Sequence, residues 1–167
     1  MLRNLLGRVL ALGALIGIGA LEVCPAVATA AERPFMAMWN GNASLQDTDD
    51  PCVKRNDETG QGDATHLGRF TWASVETVDF CAIPNGVAVI GETFTMTAAN
   101  GDRLFGKYKT VGKLNDAKDT LIIRGTFEIT GGTGRFAGAT GGGDLYATAY
   151  LAPGLPFIGA YYGTIDY

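Results

Sequence analysis

Glu76 and Glu92 fall among large apolar residues at alternate positions, a pattern from which acid/base chemistry on a β-structure can be built. Glu76 shares one side of its run with Trp72, Val78 and Phe80, and Glu92 stands between Ile90 and Phe94 on the same alternation. If those faces line one interior, desolvation raises the carboxyl pKa, and two such carboxyls can divide acid and base roles. Tyr108, on a third run, would add a hydroxyl to orient a substrate. Trp72, Phe94 and Phe127 then supply the aromatic wall of a small-molecule site. A competing reading sets either glutamate at a strand end or in an ion pair with Arg103, Lys107 or Arg124, and from residues alone both readings stand.

Other chemistries find less support. His66 is the single histidine, with no cysteine or carboxylate at metal-ligand spacing and no G-x-S-x-G for a hydrolase triad, so it reads as an exposed strand-start residue. Asp47, Asp49 and Asp50 lack the glycine and terminal glutamate of a calcium loop and read as solvated. No metal and no cofactor is expected. Gly132-x-Gly134-x-x-Ala137 formally satisfies a dinucleotide fingerprint, but Gly138, Gly141, Gly142 and Gly143 forbid the helix that must follow it. The formal net charge of −4 and the lack of a Lys/Arg cluster argue against a nucleic-acid partner. Asn42-Ala43-Ser44 is a formal glycosylation sequon. Tyr146, Tyr150, Tyr161, Tyr162 and Tyr167 gather late in the chain, where they can pack a core, stack on a ligand or form an oligomer contact.

The elements that would position these residues are strands. Alternation runs through 66–80, 87–99, 103–111, 121–130, 145–151 and 160–167, with 35–45 as the first strand and Asn100-Gly101 as a strong hairpin turn. The acidic stretch 47–62 reads as a loop, and 115–118 as a turn. Seven or eight strands at this spacing predict one all-β domain over residues 31–167, a barrel or a sandwich, with no second domain.

Residues 1–30 read as a cleaved secretory signal: Arg3 and Arg8 precede an apolar run from Val9 to Leu21, and Ala28-Thr29-Ala30 fits the small-x-small rule. The run stops at Glu22, short of a membrane span, and Glu22-Val23 before Cys24 fits a lipoprotein signal poorly. Cleavage leaves 11 basic and 16 acidic residues, so the expected mature chain carries −5, is secreted or periplasmic and has no membrane segment. It also leaves Cys52 and Cys81 as a pair in an oxidising compartment, predicting a disulfide.

Gly131-Gly132-Thr133-Gly134-Arg135-Phe136, followed by a small residue and glycine, resembles the GGTG-x-F turn of plant dirigent proteins. The stretch 125–141 is similar to secreted bacterial relatives of the allene oxide cyclase and dirigent barrel superfamily. The resemblance implies a calycin-like closed antiparallel barrel of about eight strands, and a homotrimer joined through barrel walls. The residues it assigns are those of the structural turn: Gly131, Gly132, Gly134 and Phe136. Read from the residues, Gly131 and Gly132 supply positive φ and Phe136 returns to the core. Function stays open between a lumen that binds a small apolar or phenolic molecule without catalysis, an isomerase or cyclase using lumen carboxylates, and a structural or interaction barrel filled by its own side chains.

Overall fold

The computed structural model describes residues 32–84 and 86–167; the expected leader, its cleavage site and Cys24 lie outside the described residues. Eight strands follow one another: β1 (Arg33–Asp47), β2 (Val53–Ala64), β3 (Gly68–Asp79), β4 (Gly86–Ala98), β5 (Arg103–Leu114), β6 (Thr120–Gly132), β7 (Thr140–Tyr150) and β8 (Pro156–Asp166). Each pairs antiparallel with the next, and β8 pairs with β1, closing the barrel. Closure leaves no strand edge unpaired. Among the described residues no helix is long and apolar enough to cross a membrane.

Alternation decides which side chains enter the barrel. Phe35, Ala37 and Trp39 of β1, Phe70, Trp72, Ser74, Glu76 and Val78 of β3, and Phe157 and Tyr161 of β8 point inward and are buried. The interior is a run of rings in contact: Trp39 stacks on Trp72 at 4.6 Å between centroids, Trp72 on Phe94 at 5.2 Å, and Tyr161 on Phe127 at 4.0 Å. Glycines on neighbouring strands make room for the rings, since a Cβ at Gly106 would strike the Phe94 ring and one at Gly159 the Trp39 ring.

The two ends differ. At one, the 3-10 turn Gly134–Phe136 folds Phe136 onto the barrel opening, fully buried beside Leu67 and Ala139, with the Tyr167 ring 5.0 Å away. Gly134 has φ 59° and lies against the Asp102 carboxylate, so only glycine fits there without strain. At the other end the inward residues Ala43, Lys54, Leu121, Ala147 and Ala149 remain half-buried. The barrel is a cup, plugged by the glycine turn at one end and thinnest in its filling at the other along β1, β2, β6 and β7, while Val78 and Val87 are buried beside the β3–β4 connection.

Several expectations are corrected. Residues 47–62 are not a loop: β2 occupies Val53–Ala64, hidden by an inward face of Asn56, Glu58, Gly60 and Gly62 that carries no large apolar residue. Glu92 and Ile90 do not share the face of Phe94. The β3–β4 pairing steps from Val75↔Thr93 to Glu76↔Gly91, and the β4–β5 pairing from Gly91↔Tyr108 to Phe94↔Gly106. This bulge shifts the inward set from Val87, Val89 and Gly91 to Phe94, Met96 and Ala98, leaving Ile90 and Glu92 outside. Phe80 lies just past β3 and is exposed. In the turn, Gly131 and Gly134 take positive φ, whereas Gly132 is needed because Phe136 and the Arg103 carbonyl crowd its α-carbon. His66 takes φ 69° in the β2–β3 turn, and its Nε2 lies 3.0 Å from the Pro34 carbonyl.

Cys52 and Cys81 are disulfide-bonded, joining the β1–β2 and β3–β4 connections at the open rim. The loop it closes has a sequence separation of 29, for which chain entropy gives roughly 3.6 kcal/mol. A Cys52→Ala/Cys81→Ala variant is expected to lose about that much in denaturant unfolding while keeping its far-UV circular dichroism. A loss below about 1 kcal/mol would show that the rim is held mainly by strand pairing.

Candidate functional site

Below the open rim lies a cavity of about 30 Å³ walled by Trp39, Glu58, Trp72, Glu76, Tyr108 and Thr110, with Ile123, Leu145, Ala147 and Phe157 towards the mouth. Its polar wall is built across three strand pairs. Asn56 of β2 faces Glu76 of β3, Glu76 faces Gly91 of β4, and Gly91 faces Tyr108 of β5. Because Gly91 has no side chain, the Tyr108 ring lies against it, close enough for the hydroxyl to reach back across β4 to β3.

The hydroxyl of Tyr108 donates to Glu76 Oε1 at 2.6 Å and lies 2.8 Å from Ser74 Oγ. Asn56 Nδ2 approaches Glu76 Oε2 at 3.5 Å, and Trp72 Nε1 donates to Glu58 Oε2 at 3.3 Å. Glu58 is half-buried as a whole residue, but its carboxyl is packed closely on most sides. That burial, followed by the charge of Glu76 and a hydrogen bond to it, pushes the Glu58 carboxyl well above the usual range, against a smaller opposing effect of Trp72. Glu58 is thereby pushed towards its protonated form, while Glu76 accepts from Tyr108 and is approached by Asn56 Nδ2. Burial above all, with the nearby glutamates adding to it, raises the Tyr108 and Tyr161 phenols as well, so both keep their protons.

Of the residues singled out from the sequence, Glu76, Tyr108 and Trp72 meet at this cavity. Phe94 and Phe127 are buried behind it and shape it through Trp72 and Tyr161. Glu92 stands on the outer surface, where it accepts from Thr77 Oγ1 at 3.2 Å. Glu58 was missed. Its signal is faint: a 20-residue gap between 45 and 66 is long for a structureless connection, and within it the alternate positions 56, 58, 60 and 62 are uncharged except Glu58. Among the late tyrosines, Tyr161 joins the core and Tyr146 and Tyr162 stay exposed. Asp47 pairs with Lys54, and Asp50 accepts from the Cys52 amide. The Asn42 side chain donates to the Gly154 carbonyl.

The sequence matches no protein-family model and no curated protein.

The proton on Glu58 makes stability depend on pH. A carboxyl whose pKa is higher folded than unfolded binds more proton in the folded state, so its contribution is constant below the unfolded value near 4.5 and declines as pH rises above it towards the folded value. The decline approaches at most about 1.4 kcal/mol per pH unit for one proton. Glu58→Gln is expected to be more stable than the parent above neutrality and to lose this slope in urea melts from pH 4 to 9. Parallel curves for the two proteins would mean that Glu58 is solvated and ordinary.

Proposed function

We propose that this chain is an exported barrel that takes a small, largely apolar or phenolic molecule into its lumen through the open end, binding rather than transforming it. The observation that carries this reading is the difference between the two ends: one is sealed by Phe136, whereas at the other Ala43, Ala147 and Ala149 stay half-buried beside Leu121 and Ile123, above the carboxyl-lined cavity. Such a site combines apolar walls with a few converging polar groups. Export is supported by the leader-like residues 1–30 and by the Cys52–Cys81 bond, which suits an oxidising compartment. The cavity of about 30 Å³ holds the polar tip of a ligand, and its body occupies the mouth above.

A second reading, an isomerase or cyclase of the kind found in the allene oxide cyclase and dirigent superfamily, is favoured by the glutamate pair itself, since one carboxyl carrying a proton beside one without suits acid/base work. In it Glu58 and Glu76 exchange the proton and Tyr108 orients the substrate. As for partners, six large side chains, Met36, Met38, Ile122, Tyr146, Ile158 and Tyr162, are 39% to 59% exposed on the joined outer faces of β1, β8, β7 and β6. Self-association through this wall, as in the trimers of that superfamily, is the partner reading.

The lumen reading is tested by quenching of Trp39 and Trp72 fluorescence with 1-naphthol in the parent and in Ala147→Phe, which narrows the mouth. Saturable quenching that weakens at least tenfold in the variant is expected, with near-UV circular dichroism unchanged. Equal quenching in both proteins would move the ligand to the outer wall.

A further inference from the structure

We propose that the lumen selects ligands carrying a protonated amine, which docks against Glu58 and Glu76. The inference rests on the lumen reading above and names the ligand chemistry of that site. Its starting point is an electrostatic mismatch. Two carboxyls face the cavity from β2 and β3, and among the described residues no lysine or arginine faces it from any strand. The nearest inward basic side chain, Lys54, lies at the rim, where its Nζ is bonded to Asp47. The other titratable groups facing the cluster are Tyr108 of β5 and Tyr161 of β8, and neither can supply a positive charge.

Unpartnered polar atoms surround the cluster: Trp39 Nε1, a donor, in the cavity wall, and two oxygens in residues behind it. Asn56, 6% exposed, turns its Nδ2 to Glu76 and leaves Oδ1 without a hydrogen-bond partner among the described residues. The buried Tyr161 hydroxyl is likewise unpartnered. An ammonium has three donors and fits a space of about 30 Å³, and it meets there the rings of Trp39, Trp72 and Tyr108, whose π systems attract cations. A neutral alcohol offers one donor and no charge, so it leaves the glutamates with their proton.

The two cases differ in proton bookkeeping. When an ammonium enters, Glu58 ionises against it and its proton leaves to solvent, so one proton is released per amine bound. Affinity then rises about tenfold per pH unit while Glu58 is protonated in the free protein and the amine is charged. A neutral ligand of the same shape has no such slope.

The test is isothermal titration calorimetry with 2-phenylethylamine and 2-phenylethanol between pH 6.5 and 8, each in phosphate and in MOPS, buffers whose heats of ionisation differ and which carry no primary amine. The expected result is amine binding that strengthens with pH, a buffer-dependent heat corresponding to release of about one proton, and weaker, pH-independent binding of the alcohol. Glu58→Gln, isosteric and checked by near-UV circular dichroism, should abolish proton release, and Glu76→Gln should weaken amine binding at least tenfold. Should either variant fail to fold, the parent's pH slope and buffer dependence decide the matter. Alcohol bound as tightly as amine, without proton release, overturns the amine assignment and leaves the lumen reading intact. Absence of binding by both probes and by 1-naphthol overturns the two together.

Discussion

Two carboxyls, Glu58 and Glu76, face one small cavity beside which the described residues place no lysine or arginine, and burial pushes Glu58 towards its protonated form. Burial of one carboxylate is tolerated here because Tyr108 and Asn56 donate to Glu76, and the second avoids ionisation by keeping its proton. The rest of the interior is arranged around that condition. Trp72 donates to Glu58 from the same ring that stacks between Trp39 and Phe94, so the apolar packing and the polar cluster are held by one side chain. Removing a ring would therefore disturb the proton balance, and removing a carboxyl would relax the packing.

The plug and the mouth follow from where the chain uses glycine and where it uses bulk. At the sealed end the glycine turn brings Phe136 back over the barrel, and Phe35, Phe70, Leu104 and Ile165 fill the layer beneath it. At the other end the alanines and glycines gather on β5, β6 and β7, as Gly112, Gly125, Ala147 and Ala149, while β3 and β4 still fill their side with Val78, Val87 and Val89. A small barrel is normally filled by its own side chains. This one is filled more fully at the plugged end, and the disulfide braces the other.

The strand content and the inward placement of Trp72 and Phe127 were legible because they sit in runs that alternate between apolar and polar, and the disulfide was legible because the expected cleavage leaves two cysteines for an oxidising compartment. β2 was not, since its inward face consists of Asn56, Glu58 and glycines that lie opposite Trp72 and Trp39 in the register; the tryptophans occupy the space and β2 contributes almost no apolar signal. Half of the carboxyl pair was hidden with it. The error at Glu92 has a different origin. Strict period-2 reading carries one phase through residues 87–98, whereas the apolar residues themselves change phase, from Val87 and Val89 to Phe94, Met96 and Ala98. That change marks a bulge, and it was present in the residue pattern.

The bulge also explains why the polar cluster is where it is. Without the extra residue, the phase that admits Val87, Val89 and Gly91 would continue through Thr93, Thr95 and Thr97, and Phe94 and Met96 would face solvent. With the opposite phase throughout, Gly91 would face outward and Glu92 inward, so a side chain would occupy the place from which Tyr108 now reaches Glu76. Only a strand that changes phase between these two residues gives both the aromatic floor and the phenol–carboxylate bond. The fold thus spends an irregularity of pairing at the one level of the barrel where an apolar interior must meet a polar one, and the exposed Glu92 is the residue left over by that adjustment.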